Sequence, residues 1–122
     1  MSVCDGETHY ARGVKGEALA CDYLRRQGFE ILQQRYKTKF GEVDIIARMQ
    51  DLICFVEVKV RGSLEEALEA VTPRSRKRIE QSALFFISEN PDVMSCDMRF
   101  DVVAITQGGN ITHLDNAWEA CS

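Results

Sequence analysis

Three side chains on two predicted strands have the types and spacing of a catalytic site. Asp44 lies in the segment Gly-Glu-Val-Asp-Ile-Ile-Ala, and Glu57 and Lys59 lie in Phe-Val-Glu-Val-Lys-Val-Arg. Side chains two residues apart point to the same face of a strand. Glu57, Lys59 and Arg61 therefore share one face, and a hairpin between the two strands would bring Asp44 close to Glu57.

Glu17 is the fourth candidate, because it falls on the apolar face of a predicted helix over residues 12–27. At 100° per residue, this glutamate lies within about 80° of three apolar side chains, Val14, Cys21 and Leu24. A carboxylate in such a position needs a cation or a hydrogen-bond donor. A hard metal ion shared with the two strand carboxylates would supply one, and Lys59 or Arg61 would supply another.

The same residues also allow a purely structural interpretation. A Glu-x-Lys pair in a strand usually forms a solvated face whose charges pair across strands. Ile53 and Phe55, however, share the face of Glu57, so this face is partly covered and the charges lie at its edge. The residues alone leave a metal site and a set of structural ion pairs open.

The remaining patterns predict the elements that must position these side chains. Strands are predicted at residues 29–36, 41–48, 52–60, 99–106 and 110–114, and helices at residues 12–27, 64–71 and 73–89. Thr72 and Pro73 are typical of an N-cap and a first helical position, and Gly108-Gly109 is typical of a hairpin turn. A helix between the third and fourth strands allows them to run parallel. We predict an α/β fold with an α-β-β-β-α-β-β core, a mixed sheet flanked by helices.

Length and composition restrict the class of protein. The 122 residues allow one domain, which we assign to residues 1–122 with an ordered core at about 11–118. Apolar residues make up 45% and charged residues 28%, no apolar run is long enough to span a membrane, and the N-terminus lacks a signal-peptide pattern. Five cysteines without a Cys-x-x-Cys pair favour a reducing, cytoplasmic location.

The charge distribution is more informative than the net charge of −4. Residues 1–79 carry 14 basic and 12 acidic side chains, whereas residues 80–122 carry one basic and seven acidic side chains. A partner responds to the local surface rather than to the sum. A phosphate backbone could therefore bind to the first two thirds of the chain.

The carboxylate array resembles that of the PD-(D/E)XK nuclease superfamily, which has a helical Glu, an Asp on the second strand and Glu-x-Lys on the third. More closely, the chain is similar to the YraN-type family of small bacterial proteins, which resemble archaeal Holliday-junction resolvases. The similarity covers about residues 11–105. It rests on motifs in the family's order, namely Gly16-Glu17, the two strand segments quoted above, Ala70-Val71-Thr72-Pro73 and Arg99-Phe100-Asp101-Val102-Val103.

This resemblance implies a restriction-endonuclease-like fold and a metal-dependent endonuclease that acts on branched or otherwise structured DNA. Mg²⁺ or Mn²⁺ would be held by Asp44 and Glu57, with the Val58 carbonyl as a third ligand and Glu17 bound directly or through water. Lys59 would orient or help deprotonate the attacking water and offset charge on the phosphate.

Basic side chains around the array are the candidates for nucleic-acid contact. A basic run that opens a helix can bind phosphate, although such runs are usually solvated and positive charge is mildly unfavourable in a helix's first turns. The predicted nucleic-acid contacts are Arg35, Lys37, Lys39, Arg61, Arg74, Arg76, Lys77 and Arg78. Gln81, on the same helix, matches a glutamine that some superfamily members use in the site.

Four further residues are predicted to be structural or incidental. Asp101, between Phe100 and Val102, is expected to pair with an arginine or to serve as a cap. Trp118 is expected to pack rather than to stack on bases. His9 and His113 lack the spacing of metal ligands and are expected to be incidental.

The sequence therefore predicts a metal-dependent endonuclease or a nucleic-acid-binding protein, with DNA favoured over RNA as the partner. A homodimer is compatible with this prediction, because branched substrates suit two-fold proteins. One alternative is a catalytically inactive nucleic-acid-binding module in which the array is a relic. The other is an interaction module that binds a basic partner through its acidic C-terminal third.

Overall fold

The computed structural model describes the backbone of residues 9–120 and the side chains of residues 15–120. The side chains of His9 and Val14 and the predicted domain's first eight residues lie outside the described part. The elements are α1 (His9–Arg26), β1 (Glu30–Lys37), β2 (Glu42–Met49), β3 (Leu52–Val60), α2 (Leu64–Glu69), α3 (Pro73–Glu89), β4 (Asp97–Thr106) and β5 (Asn110–Trp118). Within the described part, no helix has both the length and the apolarity needed to cross a bilayer.

The five strands form one mixed sheet in the order β1-β2-β3-β4-β5. All neighbouring strands are antiparallel except β3 and β4, which run parallel with Leu52 opposite Asp97 and Val60 opposite Ile105. The connection between these two strands carries α2 and α3, as a parallel crossover requires. The predicted α/β fold and the predicted parallel pair are both confirmed.

Local signals set several of the boundaries. Thr72 is the N-cap of α3 and accepts a hydrogen bond from the Ser75 backbone N–H at 3.1 Å, with Pro73 at the first helical position. Gly28 follows α1 with a φ of 102°, a left-handed conformation that glycine adopts without a steric penalty. These predicted start and stop signals are confirmed.

The last strand is longer than predicted. It continues past Leu114 to Trp118, which pairs with Phe100 and stacks on its ring at 5.2 Å between centroids. The residues before the tryptophan, Asp-Asn-Ala, lack the apolar alternation of a strand, so the sequence did not predict this continuation. The pairing that extends the strand is supplied by β4. The turn is also longer than predicted, with three residues, Gln107–Gly109, between the paired Thr106 and Asn110.

Helices cover both faces of the sheet, and each face has its own apolar core. One core lies on the α3 side and includes Ile46, Ile53, Phe55, Ile79, Ala83, Phe86 and Phe100. The other lies on the α1 side and includes Ala20, Cys21, Leu24, Ile45, Ala47, Cys54, Val56 and Val103. Because β3 is buried on both faces, any charged side chain on this strand must find a partner.

Candidate active site

The candidate site lies where β2 and β3 stop pairing. The two strands pair from Met49 and Leu52 up to Ile45 and Val56. At the next position, the Asp44 side chain accepts a hydrogen bond from the Val58 backbone N–H through Oδ2, at 2.8 Å. The strands therefore separate here without leaving this N–H unpaired.

Glu57 is the buried member of the carboxylate pair. Its side chain is 11% exposed. Burial, followed by the hydrogen bond with Asp44 and the charge of Asp44, raises the pKa of Glu57 to about 9. The Lys59 Nζ lies 4.0 Å from Glu57 Oε2 and acts in the opposite direction. Glu57 therefore holds a proton near neutral pH, because the cluster offers it too little positive charge to ionise.

Helix α1 brings Glu17 to the same cluster. Gly16 makes this approach possible, because a Cβ at this position would collide with Cγ2 of Val60 on β3. The Glu17 side chain is 12% exposed. Burial and the charge of Asp44 raise the pKa of Glu17, and the hydrogen bond from Arg35 lowers it. The structure thus places Glu17 close enough to Asp44 to feel its charge, and it places Asp44 and Lys59 beside Glu57.

Arg35 is the cation beside Glu17. Its Nε donates a hydrogen bond to Glu17 Oε1 at 3.0 Å. The residues on either side of it, Gln34 and Tyr36, pair with Ile45 and Val43 of β2, so Arg35 lies level with Asp44 across the strand pair. Its φ of 53° is unusual for a residue other than glycine. The sequence had suggested a metal ion, Lys59 or Arg61 as the partner of Glu17, and the observed partner is Arg35.

The donor chemistry of the cluster fits a hard divalent cation at Asp44 and Glu57. Mg²⁺ commonly takes one or two protein carboxylates and completes its shell with water and a substrate phosphate. In the described part of the chain, no three acidic, histidine or cysteine side chains enclose a position for a metal ion. Without a metal ion, Asp44 Oδ2 accepts a hydrogen bond from the Val58 N–H and Glu17 is paired with Arg35. A role for the Val58 carbonyl as a ligand stays a prediction.

Some of the basic candidates gather near the start of β2. The turn between β1 and β2 packs on α3, with Thr38 Oγ1 and Ser82 Oγ 2.8 Å apart. The side chain of Arg78 lies so close to Gly41 that a Cβ added there would be 3.1 Å from Arg78 Cβ. Lys39 lies over the Phe40 ring at 5.3 Å. The exposed candidates on these two elements are Lys37, Lys39, Arg74, Lys77 and Arg78.

The other candidates have different surroundings. Arg76 lies 5.7 Å over the ring of Trp118, and its Nε is buried without a hydrogen-bond partner among the described atoms. Arg61 is exposed and donates to its neighbour, the Val60 carbonyl, at 2.8 Å. Gln81 is exposed on α3. Their contacts with nucleic acid stay predictions. Trp118 itself is buried, which confirms that it packs.

Asp101 is the hub of a separate polar network. Its predicted pairing with an arginine is confirmed. Arg99 binds it through two hydrogen bonds of 2.9 and 2.8 Å, the His113 Nε2 lies 2.8 Å away, and the Asn116 backbone N–H donates at 3.0 Å. Burial raises the pKa of Asp101, but the hydrogen bonds from His113, Arg99 and Asn116 outweigh it and lower the pKa to about 2.

The prediction that His113 is incidental is wrong. Its two ring nitrogens bond Asp101 and the Tyr23 hydroxyl, the latter at 3.2 Å. Tyr23 lies 90 residues earlier in the chain, so a search for metal-ligand spacing could not detect this role. The alternation of Arg99 and Asp101 on one strand face was the only local signal of the network.

Comparison with known proteins gives a family. The profile of the Uncharacterised protein family UPF0102 matches residues 16–105, a range that includes Glu17, Asp44, Glu57 and Lys59. A UPF0102 protein of Mesorhizobium japonicum is 46% identical over 109 residues, covering 89% of this chain and 87% of the relative. A UPF0102 protein of Rhodopseudomonas palustris is 41% identical over 111 residues, covering 91% and 85%. Another, of a Chelativorans species, is 41% identical over 111 residues, covering 91% and 90%.

Proposed function

The chain belongs to the UPF0102 family, the YraN-type family that its motifs resemble, and from this premise we propose that it is a metal-dependent endonuclease acting on branched or otherwise structured DNA. The observation that carries the proposal is the half-buried Asp44 carboxylate beside the buried Glu57, with the Lys59 ammonium 4.0 Å from Glu57 Oε2. A carboxyl whose pKa is strongly raised by burial and by a neighbouring carboxylate is typical of a functional site.

Asp44 and Glu57 are the proposed ligands of Mg²⁺ or Mn²⁺, with Glu17 and the Val58 carbonyl as further ligands. When bound, the ion would supply positive charge for the phosphate and lower the pKa of a coordinated water. For Glu17 to join directly, it would have to release the hydrogen bond from Arg35.

Lys59 is the proposed residue that orients the attacking water. Its side chain is 20% exposed, and its ammonium lies 4.0 Å from Glu57 Oε2 at the edge of the cluster. Its positive charge would offset the charge that develops on the phosphate during attack. An arginine cannot take part in deprotonation, because a guanidinium stays protonated in proteins.

The exposed basic residues on the β1–β2 turn and α3 are the proposed contacts to the DNA backbone. They would account for binding that weakens with salt through counterion release. A homodimer would present two such sites to a branched substrate. We also place the protein in the cytoplasm, and the free thiols of Cys21, Cys54 and Cys96 are compatible with this reducing compartment.

A cleavage assay tests the proposal directly. Purified protein with Mg²⁺ or Mn²⁺ is incubated with a four-way junction, a forked duplex, linear duplex DNA, single-stranded DNA and hairpin RNA. We expect metal-dependent cleavage that is strongest on branched DNA and is lost in Lys59→Met and Lys59→Arg. Asp22→Asn is the matched control, because Asp22 lies exposed on α1 beside Arg25. Cleavage that survives in Lys59→Met would contradict the assignment of the site.

A catalytically inactive DNA-binding module is the second candidate. It is favoured by the contacts of Asp44 and Glu17, which already have a hydrogen-bond donor and a cation without any metal. This candidate predicts salt-dependent DNA binding, no cleavage of any substrate and no shift of the melting temperature with Mn²⁺. Absence of DNA binding at low salt would leave only the interaction module with a basic partner.

A further inference from the structure

A second polar site lies on the α1 side of the sheet, at the end where β2 turns into β3. A solvent-open cavity of about 380 Å³ is formed there by Tyr23, Gln27, Phe29, Arg99, His113 and Asp115. Met49 and Leu52, the last and first residues of the two strands, form its apolar edge. The whole paired part of the β2–β3 hairpin separates this cavity from Asp44 and Glu57.

Two partly buried hydrogen bonds fix the orientation of His113 and of the Tyr23 hydroxyl in this cavity. Asp101 is fully buried and ionised, so the His113 Nε2 carries a proton and donates it to this carboxylate. In the neutral imidazole, Nδ1 then accepts the hydrogen of the Tyr23 hydroxyl. The lone pairs of the Tyr23 oxygen remain available to accept a hydrogen bond from a ligand.

The charges in the cavity do not favour an anion. The positive charge of Arg99 is matched by Asp101, to which it is bound through Nε and one terminal nitrogen. Its other terminal nitrogen can still donate hydrogen bonds. Asp115 is exposed and adds a negative charge close enough to raise the pKa of Arg99. A phosphate or carboxylate would therefore meet an uncompensated negative charge.

The walls of the cavity are partly aromatic and its rim is polar, which suits a planar ligand with a polar edge. The rings of Tyr23 and Phe29 meet the His113 ring edge-on, at 5.5 and 6.5 Å between centroids. The rim offers donors from Arg99 and Gln27 and acceptors from Gln27 and Asp115. Apolar and aromatic walls with a few polar groups of fixed orientation are typical of small-molecule sites, and the volume lies within their usual range.

From this arrangement we propose that the cavity binds a neutral nucleobase. Guanine complements the rim best, since its O6 and N7 accept hydrogen bonds from arginine and its ring N–H and amino group can donate to a carboxylate. All the proposed contacts are made to the base and none to a phosphate. A free nucleoside therefore contains every group that the site would bind. This inference is independent of the carboxylate cluster and of any nuclease activity.

An NMR titration of the full-length, ¹⁵N-labelled protein tests this site. The probes are guanosine, adenosine, cytidine and uridine, each titrated up to its solubility limit, with guanosine 5′-monophosphate, ribose and inorganic phosphate as comparisons. We expect saturable shifts of the amide signals of Tyr23, Gln27, His113 and Asp115, with guanosine binding most tightly. The 5′-phosphate should not improve affinity, and ribose and phosphate should leave these signals unchanged.

Two rim variants decide whether the shifts report the proposed contacts. Asp115→Asn and Gln27→Ala change exposed side chains, and Asp115→Asn should weaken guanosine binding about tenfold because a charge-assisted hydrogen bond is lost. Glu119→Gln, at a separate cavity beside the start of α3, is the matched control and should bind as the wild type does. Absence of saturable shifts, unchanged affinity in Asp115→Asn, or tighter binding of the monophosphate would each overturn the proposal.

Discussion

The Asp44 side chain binds the Val58 backbone N–H, which β2 no longer pairs with at this point in the sheet. Its carboxylate accepts this hydrogen bond at 2.8 Å, so β2 can diverge from β3 without leaving a buried donor unpaired. The same contact places the carboxylate next to Glu57. Asp44 therefore serves the fold through one oxygen, and its negative charge raises the pKa of Glu57.

Replacing Asp44 with Asn should preserve the hydrogen bond with Val58 and remove the negative charge that keeps Glu57 protonated. The amide oxygen can accept from the Val58 N–H, and the amide nitrogen can donate to the Glu57 carboxylate. We expect the free energy of unfolding of the metal-free protein at pH 8 to stay equal or to rise by up to about 1 kcal/mol. Thermal melts with and without Mn²⁺ should show a stabilising shift in the wild type and none in the variant.

Asp22→Asn on the exposed side of α1 is the control for this experiment and should melt as the wild type does, with and without Mn²⁺. A destabilised Asp44→Asn protein, together with a wild type that does not respond to Mn²⁺, would make the array structural. The inactive binding module would then replace the nuclease as the proposed function.

The stability of the metal-free protein should decrease as the pH rises above 6. Burial and Asp44 raise the pKa of Glu57 from 4.5 to about 9, so the folded state holds a proton that the unfolded state releases. Stability from this proton is complete below about pH 4.5 and is lost as the pH rises towards 9. We expect a loss of about 2–3 kcal/mol between pH 6 and pH 8 in urea denaturation.

Glu57→Gln isolates this effect, because the amide imitates the protonated carboxyl at every pH. The difference in unfolding free energy between wild type and variant should grow with pH in favour of the variant. Saturating Mn²⁺ should reduce the pH dependence of the wild type, since a bound cation replaces the proton. A pH dependence that is the same in both proteins would mean that Glu57 does not carry this proton.

Gly16→Ala tests how closely α1 must approach β3. Alanine would favour the helix by about 1 kcal/mol on propensity alone. Its Cβ, however, would collide with Val60, a branched side chain with little freedom to move. We expect a net loss of about 1–3 kcal/mol in urea denaturation and weaker Mn²⁺ stabilisation, because Glu17 is displaced with the helix. Leu19→Ala, at an exposed position of α1, should be nearly neutral. A more stable Gly16→Ala protein would refute the close approach.

Asp101→Asn should be among the most damaging single changes. It removes a fully buried charge on which Arg99, His113 and the Asn116 backbone N–H converge. Breaking such a pair leaves a cation without its partner, and we expect a loss of roughly 2–4 kcal/mol in urea denaturation. Asp97→Asn, exposed at the start of β4, is the control and should change stability little. Equal stability of the two variants would contradict the hub role of Asp101.

Local sequence patterns were sufficient for the order of elements and for the catalytic candidates. Alternation with a period of two placed Glu57 and Lys59 on one face of β3, and helical periodicity placed Glu17 on the inner face of α1. Thr72, Pro73 and Gly28 marked helix ends because capping is a property of neighbouring residues. These features depend on contacts within a few residues, so the sequence by itself determined them.

The partners of the charged groups were decided by the tertiary structure. Arg35 reaches Glu17 from another element, the basic turn packs on α3, and His113 links Asp101 to Tyr23. Each of these contacts joins residues far apart in the chain, and several basic side chains were equally available to each carboxylate. The geometry of helix and sheet packing selects among them, and no local pattern encodes that choice.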